Sequence, residues 1–269
     1  MPALRGLTVA VGEWYARTLE ICLVRNMRHL TECVVITSPQ DDAVRAVVAA
    51  VPGARLSVTD AFTRHNTRFN KGLAIEEAGL DFMGRHGWIL IHDADILLPD
   101  SLPLDSFQPG WLHGARRRML EDPSRWHPGL RWAECPVLRD GGPVGFFQAF
   151  HAGDPAIKDK RPWYDVSFGH AGGGDAYMME HWPNSRRKVL PIDVLHLGKV
   201  DLNWMGTDPE GRDLMARFVH ENQWRRGMKN FDAAAVARAG ELPGRVEVPG
   251  YPPSNYELPF VKRTRAKPP

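Results

Sequence analysis

The sequence lacks the features that identify several large classes of protein. Its three cysteines, Cys22, Cys33 and Cys135, cannot all pair, and none lies in a Cys-x-x-Cys unit, which argues against a disulfide scaffold or a structural zinc site. No apolar run reaches the ~18 residues of a transmembrane helix, and residues 1–6 lack the basic and then apolar layout of a signal peptide. We therefore expect a soluble protein of a reducing compartment, the cytoplasm.

Two phosphate-binding signatures are also missing. No Gly-x-Gly-x-x-Gly follows the first apolar run, and no Gly-x-x-x-x-Gly-Lys-Ser/Thr occurs in the chain. The first absence argues against NAD as the cofactor, and the second argues against a P-loop protein.

A strong excess of charge of one sign is absent as well. The 34 basic and 32 acidic residues leave a net charge of +2, which gives no overall electrostatic case for nucleic acid binding. The proline-rich residues 244–269 are locally basic, with five cationic side chains (Arg245, Lys262, Arg263, Arg265 and Lys267) against two acidic ones. This tail is typical of a solvated terminus, and an arm that contacts phosphates is the less favoured interpretation.

What the first hundred residues do contain is an alternation of strand-like and helix-like segments. The strand-like runs lie at 7–11, 33–37, 56–59 and 88–91, and the helical segments at 14–30, 43–51 and 69–83. Ser38-Pro39 is typical of a helix start. The alternation predicts an α/β fold with a mostly parallel, Rossmann-like sheet, in which ligands bind beyond the carboxyl ends of the strands.

Beyond residue 100 the pattern is less regular. Residues 144–150 and 189–196 are strand-like, and Gly172-Gly173-Gly174-Asp175 opens a predicted helix that extends to residue 182. No internal repeat occurs. We therefore expect a single domain over residues 1–243 with an irregular second half, followed by the tail at 244–269.

The candidate chemistry lies on three aspartates and a histidine. Asp93 and Asp95 follow an apolar strand and point the same way in an extended segment, so they repel one another unless a hard cation such as Mg²⁺ or Mn²⁺ lies beside them. Two solvated aspartates that end a strand are the alternative. His196 is either a metal ligand or a core histidine, and Asp175 is either a functional carboxylate on a glycine-rich backbone or a helix N-cap.

These segments resemble the core of the GT-A fold glycosyltransferases, both the family 2 group and the galactosyltransferase-like branch. The resemblance rests on three ordered landmarks within residues 7–200: the first comprises the two segments 68–74 and 88–99, the second is Gly172-Gly173-Gly174-Asp175, and the third is Val194-Leu195-His196-Leu197-Gly198. Asp-x-Asp alone is a weak motif, and the ordered set is more specific. The sequence departs from the branch at Gly174, where the family often has glutamate, which leaves open which carboxylate acts as the base.

The resemblance implies a metal-dependent transfer of a sugar from a nucleotide sugar, with a UDP-sugar expected, to an acceptor hydroxyl. Residues 1–100 would bind the nucleotide sugar and residues 101–243 the acceptor. Asp93, Asp95 and His196 would hold Mn²⁺ or Mg²⁺, and Asp175 would act as the base of an inverting reaction. The nucleotide sugar would contact Gly12, Asp60, Arg68, Lys71, Asp93 and Lys199, with Asp60 on the base. Trp163 and Tyr164 would stack on the acceptor, although packing under their loop is an equal alternative.

Other functions stay open at this point. Asp93-Ala94-Asp95 also resembles the nucleophile motif of haloacid dehalogenase-like phosphatases, although that motif normally follows the first strand. A metal-dependent nucleotidyltransferase would use the same fold and metal pair, and a non-catalytic sugar-nucleotide-binding module is a further alternative. The acceptor of a glycosyltransferase is undetermined: a glycan, a small molecule, a protein or a modified DNA base. DNA stays among the possible acceptors because several segments are basic, namely Arg116-Arg117-Arg118, Arg125, Arg131 and the tail.

Overall fold

The amino-terminal part of the chain forms the parallel part of a single sheet. A computed structural model describes residues 3–67, 69–78, 87–138, 142–169, 171, 173–198 and 246–254. Its first strands are β1 (Leu4–Val9), β2 (Glu32–Thr37), β3 (Ala54–Val58) and β4 (Trp88–Asp93). They pair in parallel in the order β3-β2-β1-β4. The helices between them are α1 (Glu13–Asn26), α2 (Asp42–Ala50) and α3 (Lys71–Ala78).

The second half of the chain continues the same sheet. It contributes β5 (Ile96–Leu97), β6 (Leu112–Leu120), β7 (Val137–Leu138), β8 (Phe147–His151) and β9 (Arg187–Leu197), together with the short helix α4 (Gly174–Met179). The order continues β4-β8-β6-β9-β5, and β7 pairs with β6. Only the β6–β9 pair is parallel here. The predicted Rossmann-like α/β fold is confirmed, but the sheet is mostly parallel only over β1–β4.

Both faces of the sheet are covered, because side chains of a strand alternate between two buried layers. In β4, Trp88 and Leu90 pack with α1 and α2 on one face. Ile89 and Ile91 pack on the other face, with α3 and the loop that carries Trp163. Because both faces of β4 are buried, consecutive residues of the strand are apolar.

An asparagine in α1 holds the short strand β5 in place. The side chain of Asn26 is fully buried, donates to the carbonyl of Ile96 over 2.8 Å and accepts from the N–H of Leu98 over 2.9 Å. The amide group of Asn26 thus bonds the backbone of β5 as a neighbouring strand would.

One prediction about local structure is wrong. Helix α2 begins at Asp42, not at Ser38-Pro39, because the carboxylate of Asp41 accepts from the N–H of Val44 and makes Asp41 the N-cap. Of the tail the structure describes residues 246–254, which are half-buried or exposed, and Val246 N–H donates to the Ser167 carbonyl over 2.8 Å. All five basic residues of the tail lie outside the described residues.

None of the helices that the structure describes has both the length and the apolar character needed to cross a lipid bilayer. The three cysteines are buried and free.

Candidate active site

The candidate site lies where the direction of chain connection reverses. From β1 the chain passes through α1 to β2 on one side, and it later returns through α3 to β4 on the other side of β1. The carboxyl ends of β1 and β4 therefore form the switch point, which is the usual ligand-binding edge of such sheets. Asp93 ends β4 there.

Asp93 is paired with the first residue of α3. Lys71 Nζ lies 2.6 Å from Asp93 Oδ1, and the two side chains are 15% and 32% exposed. Burial alone would raise the pKa of the Asp93 carboxyl, but the Lys71 ammonium outweighs burial and holds that pKa below its ordinary value. In turn, Asp93 raises the pKa of Lys71 despite its burial, and Asp175 and Asp95 add to this effect. Lys71 is therefore a charged neighbour of three aspartates.

Asp95 meets His196 through the pairing of β5 with β9. Ile96 is in register with His196, and Leu197 N–H donates to the Asp95 carbonyl over 2.8 Å. This pairing places His196 Nε2 3.4 Å from Asp95 Oδ2, with both side chains 8% exposed. Burial and the charge of Asp93 raise the pKa of Asp95, while His196 opposes them.

The Asp95–His196 pair has the chemistry of a cation site. Asp95 Oδ1 is buried and makes no hydrogen bond within the described part of the chain, so this oxygen is left for a ligand. A carboxylate suits Mn²⁺ or Mg²⁺, and an imidazole, which is a softer ligand, suits Mn²⁺ better than Mg²⁺, if phosphate oxygens and water complete the coordination. Among the described residues no group of three His, Cys, Asp or Glu side chains is close enough to hold an ion alone. The pair therefore fits a metal that is shared with a phosphate ligand.

Asp175 enters the same neighbourhood from α4. Gly145 N–H donates to Asp175 Oδ2 over 2.9 Å, and a Cβ added to Gly145 would lie 2.6 Å from Asp175 Cβ. Only glycine allows this close approach. The main-chain carbonyl of Asp175 accepts from Gln148 Nε2 over 3.1 Å, and Gln148 Oε1 accepts from the Tyr164 hydroxyl over 2.7 Å. These contacts fix the carboxylate relative to β8.

Trp163 and Tyr164 are buried, at 2% and 1% exposure, so the structure does not support their predicted stacking on an acceptor. An acceptor cannot stack on rings that the protein already covers. The N–H groups of both residues donate to Glu76 Oε1, over 2.6 and 3.1 Å. Burial raises the pKa of Glu76, against the opposing effect of these hydrogen bonds. Trp163 and Tyr164 therefore pack under their loop, which is the alternative to stacking on an acceptor.

Gly12 and Asp60, two other residues predicted to contact the nucleotide sugar, are not part of the cluster around Asp93. Gly12 N–H donates to Asp41 Oδ2 over 2.5 Å, and a Cβ at Gly12 would have no neighbour within 4 Å, so open space lies beside it. Asp60 forms an exposed ion pair with Arg64, whose hydrogen bond lowers the pKa of the carboxyl. β3, which precedes Asp60, is separated from β4 by two strands, roughly 14 Å in all. Arg68 and Lys199 lie outside the described residues.

Sequence reasoning missed the contribution of β6 and of the Gln148–Tyr164 pair. The second half of the domain is predicted to be irregular, whereas residues 112–120 form the long strand β6, which brings Arg117 toward the site. Its apolar and basic residues come in blocks, not in alternation, so no period-2 pattern marks the strand. Gln148 lies within the predicted strand 144–150, but nothing in the sequence indicates its partner.

Comparisons with known proteins identify no family for the chain. No family model matches the chain, and no curated protein matches it. Among solved structures, the chain is similar to 4-diphosphocytidyl-2C-methyl-D-erythritol synthase from Anaerococcus prevotii DSM 20548, with 12% sequence identity and a TM-score of 0.38 over 74% of this chain and 90% of that one. A likeness at this level supports no conclusion about activity. The α/β assignment rests on the sheet itself.

Proposed function

We propose that the protein is a metal-dependent glycosyltransferase that moves a sugar from a nucleotide sugar, with a UDP-sugar expected as the donor, to an acceptor hydroxyl. One observation carries the proposal: Asp93, Asp95, His196, Lys71 and Asp175 gather at the switch point of a Rossmann-like sheet. This set combines carboxylates, an imidazole and a cation, which are the groups needed to hold a diphosphate and to activate a hydroxyl.

Asp95 and His196 would hold the Mn²⁺ or Mg²⁺ ion. When bound, the ion supplies positive charge that neutralises the diphosphate leaving group. Asp93 is already held by Lys71 at 2.6 Å, so its second oxygen would reach the ribose or the ion. Lys71 contributes a fixed ammonium group at the start of α3 that attracts the phosphates and stays charged at neutral pH.

Asp175 would accept the proton of the attacking hydroxyl. The Gly145 N–H fixes Asp175 through Oδ2, so Oδ1 is the oxygen that would take the proton. The hydroxyl oxygen then forms a bond to the anomeric carbon of the sugar, while the bond from that carbon to the diphosphate breaks. A base on the acceptor side is typical of inversion at the anomeric carbon, and inversion is part of the proposal.

Nucleotidyl transfer is the second candidate. Arg117 brings a further positive charge near Asp93 and Asp95, in addition to Lys71. Two cations beside a metal site suit the greater negative charge of a nucleoside triphosphate. In that reaction a phosphate oxygen attacks the α-phosphorus, pyrophosphate leaves, and no base of the Asp175 kind is required.

The identity of the released product separates the candidates. The full chain is incubated with Mn²⁺ and, in separate reactions, with a panel of nucleotide sugars, with each nucleoside triphosphate plus sugar phosphates, and with phosphomonoesters. Release of a nucleoside diphosphate, even by slow donor hydrolysis, supports glycosyl transfer, and release of pyrophosphate supports nucleotidyl transfer. Release of inorganic phosphate from phosphomonoesters alone overturns both and favours a phosphatase.

Ligand-induced stabilisation gives an independent check. A thermal-unfolding panel of nucleotide sugars and nucleoside triphosphates, each with and without Mn²⁺, reports binding by mass action. We expect stabilisation that requires both the ion and a UDP-sugar. If no nucleotide and no nucleotide sugar raises the unfolding temperature under any condition, the proposed function is wrong.

A further inference from the structure

Strand geometry divides the basic run of β6 into two groups, because successive side chains of a strand point to opposite faces. Arg116 Nε lies 2.8 Å from Asp193 Oδ1, and Arg118 Nε lies 2.6 Å from Asp193 Oδ2. Arg118 also donates to the carbonyl of Cys135 over 2.8 Å. One carboxylate of β9 therefore holds both outer arginines, and the run does not present three adjacent cations to a ligand.

Arg117 faces the other way, toward the candidate site. In the β6–β9 pairing Met119 is in register with His196, and Arg117 projects from the same face as Met119. The Arg117 guanidinium carbon lies 4.5 Å from the centre of the Phe146 ring. The Phe146 carbonyl in turn accepts from the N–H of Asp93 over 3.4 Å. The Arg117 guanidinium thus lies over a ring beside the end of β4 that carries Asp93.

The charge of Arg117 reaches both aspartates of the Asp-x-Asp pair. The guanidinium is close enough to act electrostatically on both Asp93 and Asp95. Lys71 approaches the same two carboxylates from α3, in the first half of the chain. Two cations from different halves of the sheet therefore lie near the place where phosphates would bind.

We propose that Arg117 is a phosphate-binding residue that contacts the phosphate chain of the nucleotide donor; this inference rests on the proposed function. A guanidinium presents a planar fork that matches two phosphate oxygens, which a lysine ammonium does not. Contact with the Phe146 ring restrains the guanidinium, so less side-chain freedom is lost on binding. Charge that develops on the leaving group meets a cation already in place.

The test measures binding of two probes, inorganic pyrophosphate and UDP, by titration calorimetry on the full chain in the presence of Mn²⁺. Arg117→Gln should weaken both by about ten- to a hundredfold, because it removes a charge-assisted hydrogen bond. Arg117→Lys should recover part of this loss, since it restores the charge without the fork. Arg116→Gln is the matched control, because it removes an identical group that faces Asp193, and it should bind both probes as the wild type does.

Each outcome decides the inference separately from the proposed function. If Arg117→Gln binds both probes as tightly as the wild type, or if Arg116→Gln loses as much affinity, Arg117 is not a phosphate-binding residue, and the proposed function is unaffected. If the wild type binds neither probe, the inference is wrong. If binding depends on Arg117 but no nucleotide sugar or triphosphate is turned over, the inference stands as a phosphate site and the proposed function is wrong. Should Arg117→Gln not fold, the Arg117→Lys affinity decides.

Discussion

The two halves of the sheet supply the candidate site in different ways. In the parallel half, Asp93 lies at the end of β4 and Lys71 at the start of the helix that precedes β4, so both are near in sequence to the switch point. In the mixed half, His196 and Arg117 lie within long strands and reach the site only through the register of β9 with β5 and β6. A strand end is visible in a sequence, whereas a register between distant strands is not.

The largest expected effect is a loss of turnover on substitution of Asp175, the proposed base, which the second half of the chain contributes. Asp175→Asn should lower turnover by about 10²–10⁴-fold, because the acceptor hydroxyl loses the group that takes its proton. Binding of the donor should persist, measured as stabilisation against heat. Glu180→Gln is the control, since Glu180 directly follows the same helix and pairs with Arg187 at the surface. Turnover of Asp175→Asn close to that of the wild type would rule out this assignment.

One substitution in each half should separate the binding of the metal from the binding of the phosphates. His196→Ala removes one of two protein ligands and should reduce Mn²⁺ affinity by about 100-fold or more, since losing even an outer-shell partner of a ligand costs 10–100-fold. Lys71→Met should instead weaken nucleotide binding with and without Mn²⁺. Calorimetric titration with Mn²⁺ in the presence of UDP measures the first effect, and titration with UDP in the presence and absence of Mn²⁺ measures the second, with the exposed His127→Ala as control. Equal Mn²⁺ affinity of His196→Ala and the wild type would contradict the proposed ligand set.

Gly72 is a place where the two halves touch, and a methyl group there should push them apart. A Cβ at Gly72 would lie 2.5 Å from the carbonyl oxygen of Asp165, a backbone atom in the loop below the site. Gly72→Ala should therefore lower the free energy of unfolding by about 1–3 kcal/mol, despite the better helix propensity of alanine. Gly129→Ala, whose Cβ would meet nothing closer than 3.5 Å, should change it by less than about 0.5 kcal/mol. Urea denaturation measures both, and equal effects would show that the Gly72 contact is absent.

The smallest expected effect is on the free energy of unfolding, which substitutions of Asp93 and Asp95 should change in opposite directions. Because folding raises the pKa of Asp95, its charged form opposes folding at neutral pH, and Asp95→Asn should be more stable than the wild type there. That gain should vanish below the unfolded value near ~4. Because Lys71 lowers the pKa of Asp93, that carboxylate stabilises the fold above ~4, and the contribution is lost as the pH falls through the folded pKa.

Asp93→Asn should accordingly be less stable than the wild type at neutral pH, and this difference should disappear in acid. Urea denaturation of the three proteins at pH 7 and at several acidic values, without divalent cations, provides the comparison. Differences of the same sign for both variants would show that the two aspartates do not occupy distinct environments.

The sequence predicted the first half of the fold well because local periodicity is sufficient there. Strands β1–β4 were located from apolar runs, and their carboxyl ends followed from the alternation with helices. The start of α2 was misplaced because Asp41 bonds both Val44 and the distant Gly12, a contact that no local pattern contains. The second half was called irregular because β6 shows no alternation and its partners lie far away in sequence.

Of the candidate site, the sequence supplied the residue types and the structure supplied their neighbours. Asp93, Asp95, His196 and Lys71 were singled out in advance, and the sheet brings them together. The roles of Trp163 and Tyr164 are harder to predict, because an indole or a phenol ring can stack on a sugar or pack in the core. The buried Glu76 binds the N–H groups of Trp163 and Tyr164, and it decides in favour of the core.

The amide of Asn26 bears on how this protein can associate with copies of itself. By bonding the backbone of Ile96 and Leu98, Asn26 closes one end of the sheet path, at β5, against any incoming strand. The other end, β3, has no such cover in the described chain and exposes Leu56 and Val58 at 37% and 41%. Strand-to-strand assembly would therefore extend the sheet at β3, at the opposite end from the Asp95–His196 pair.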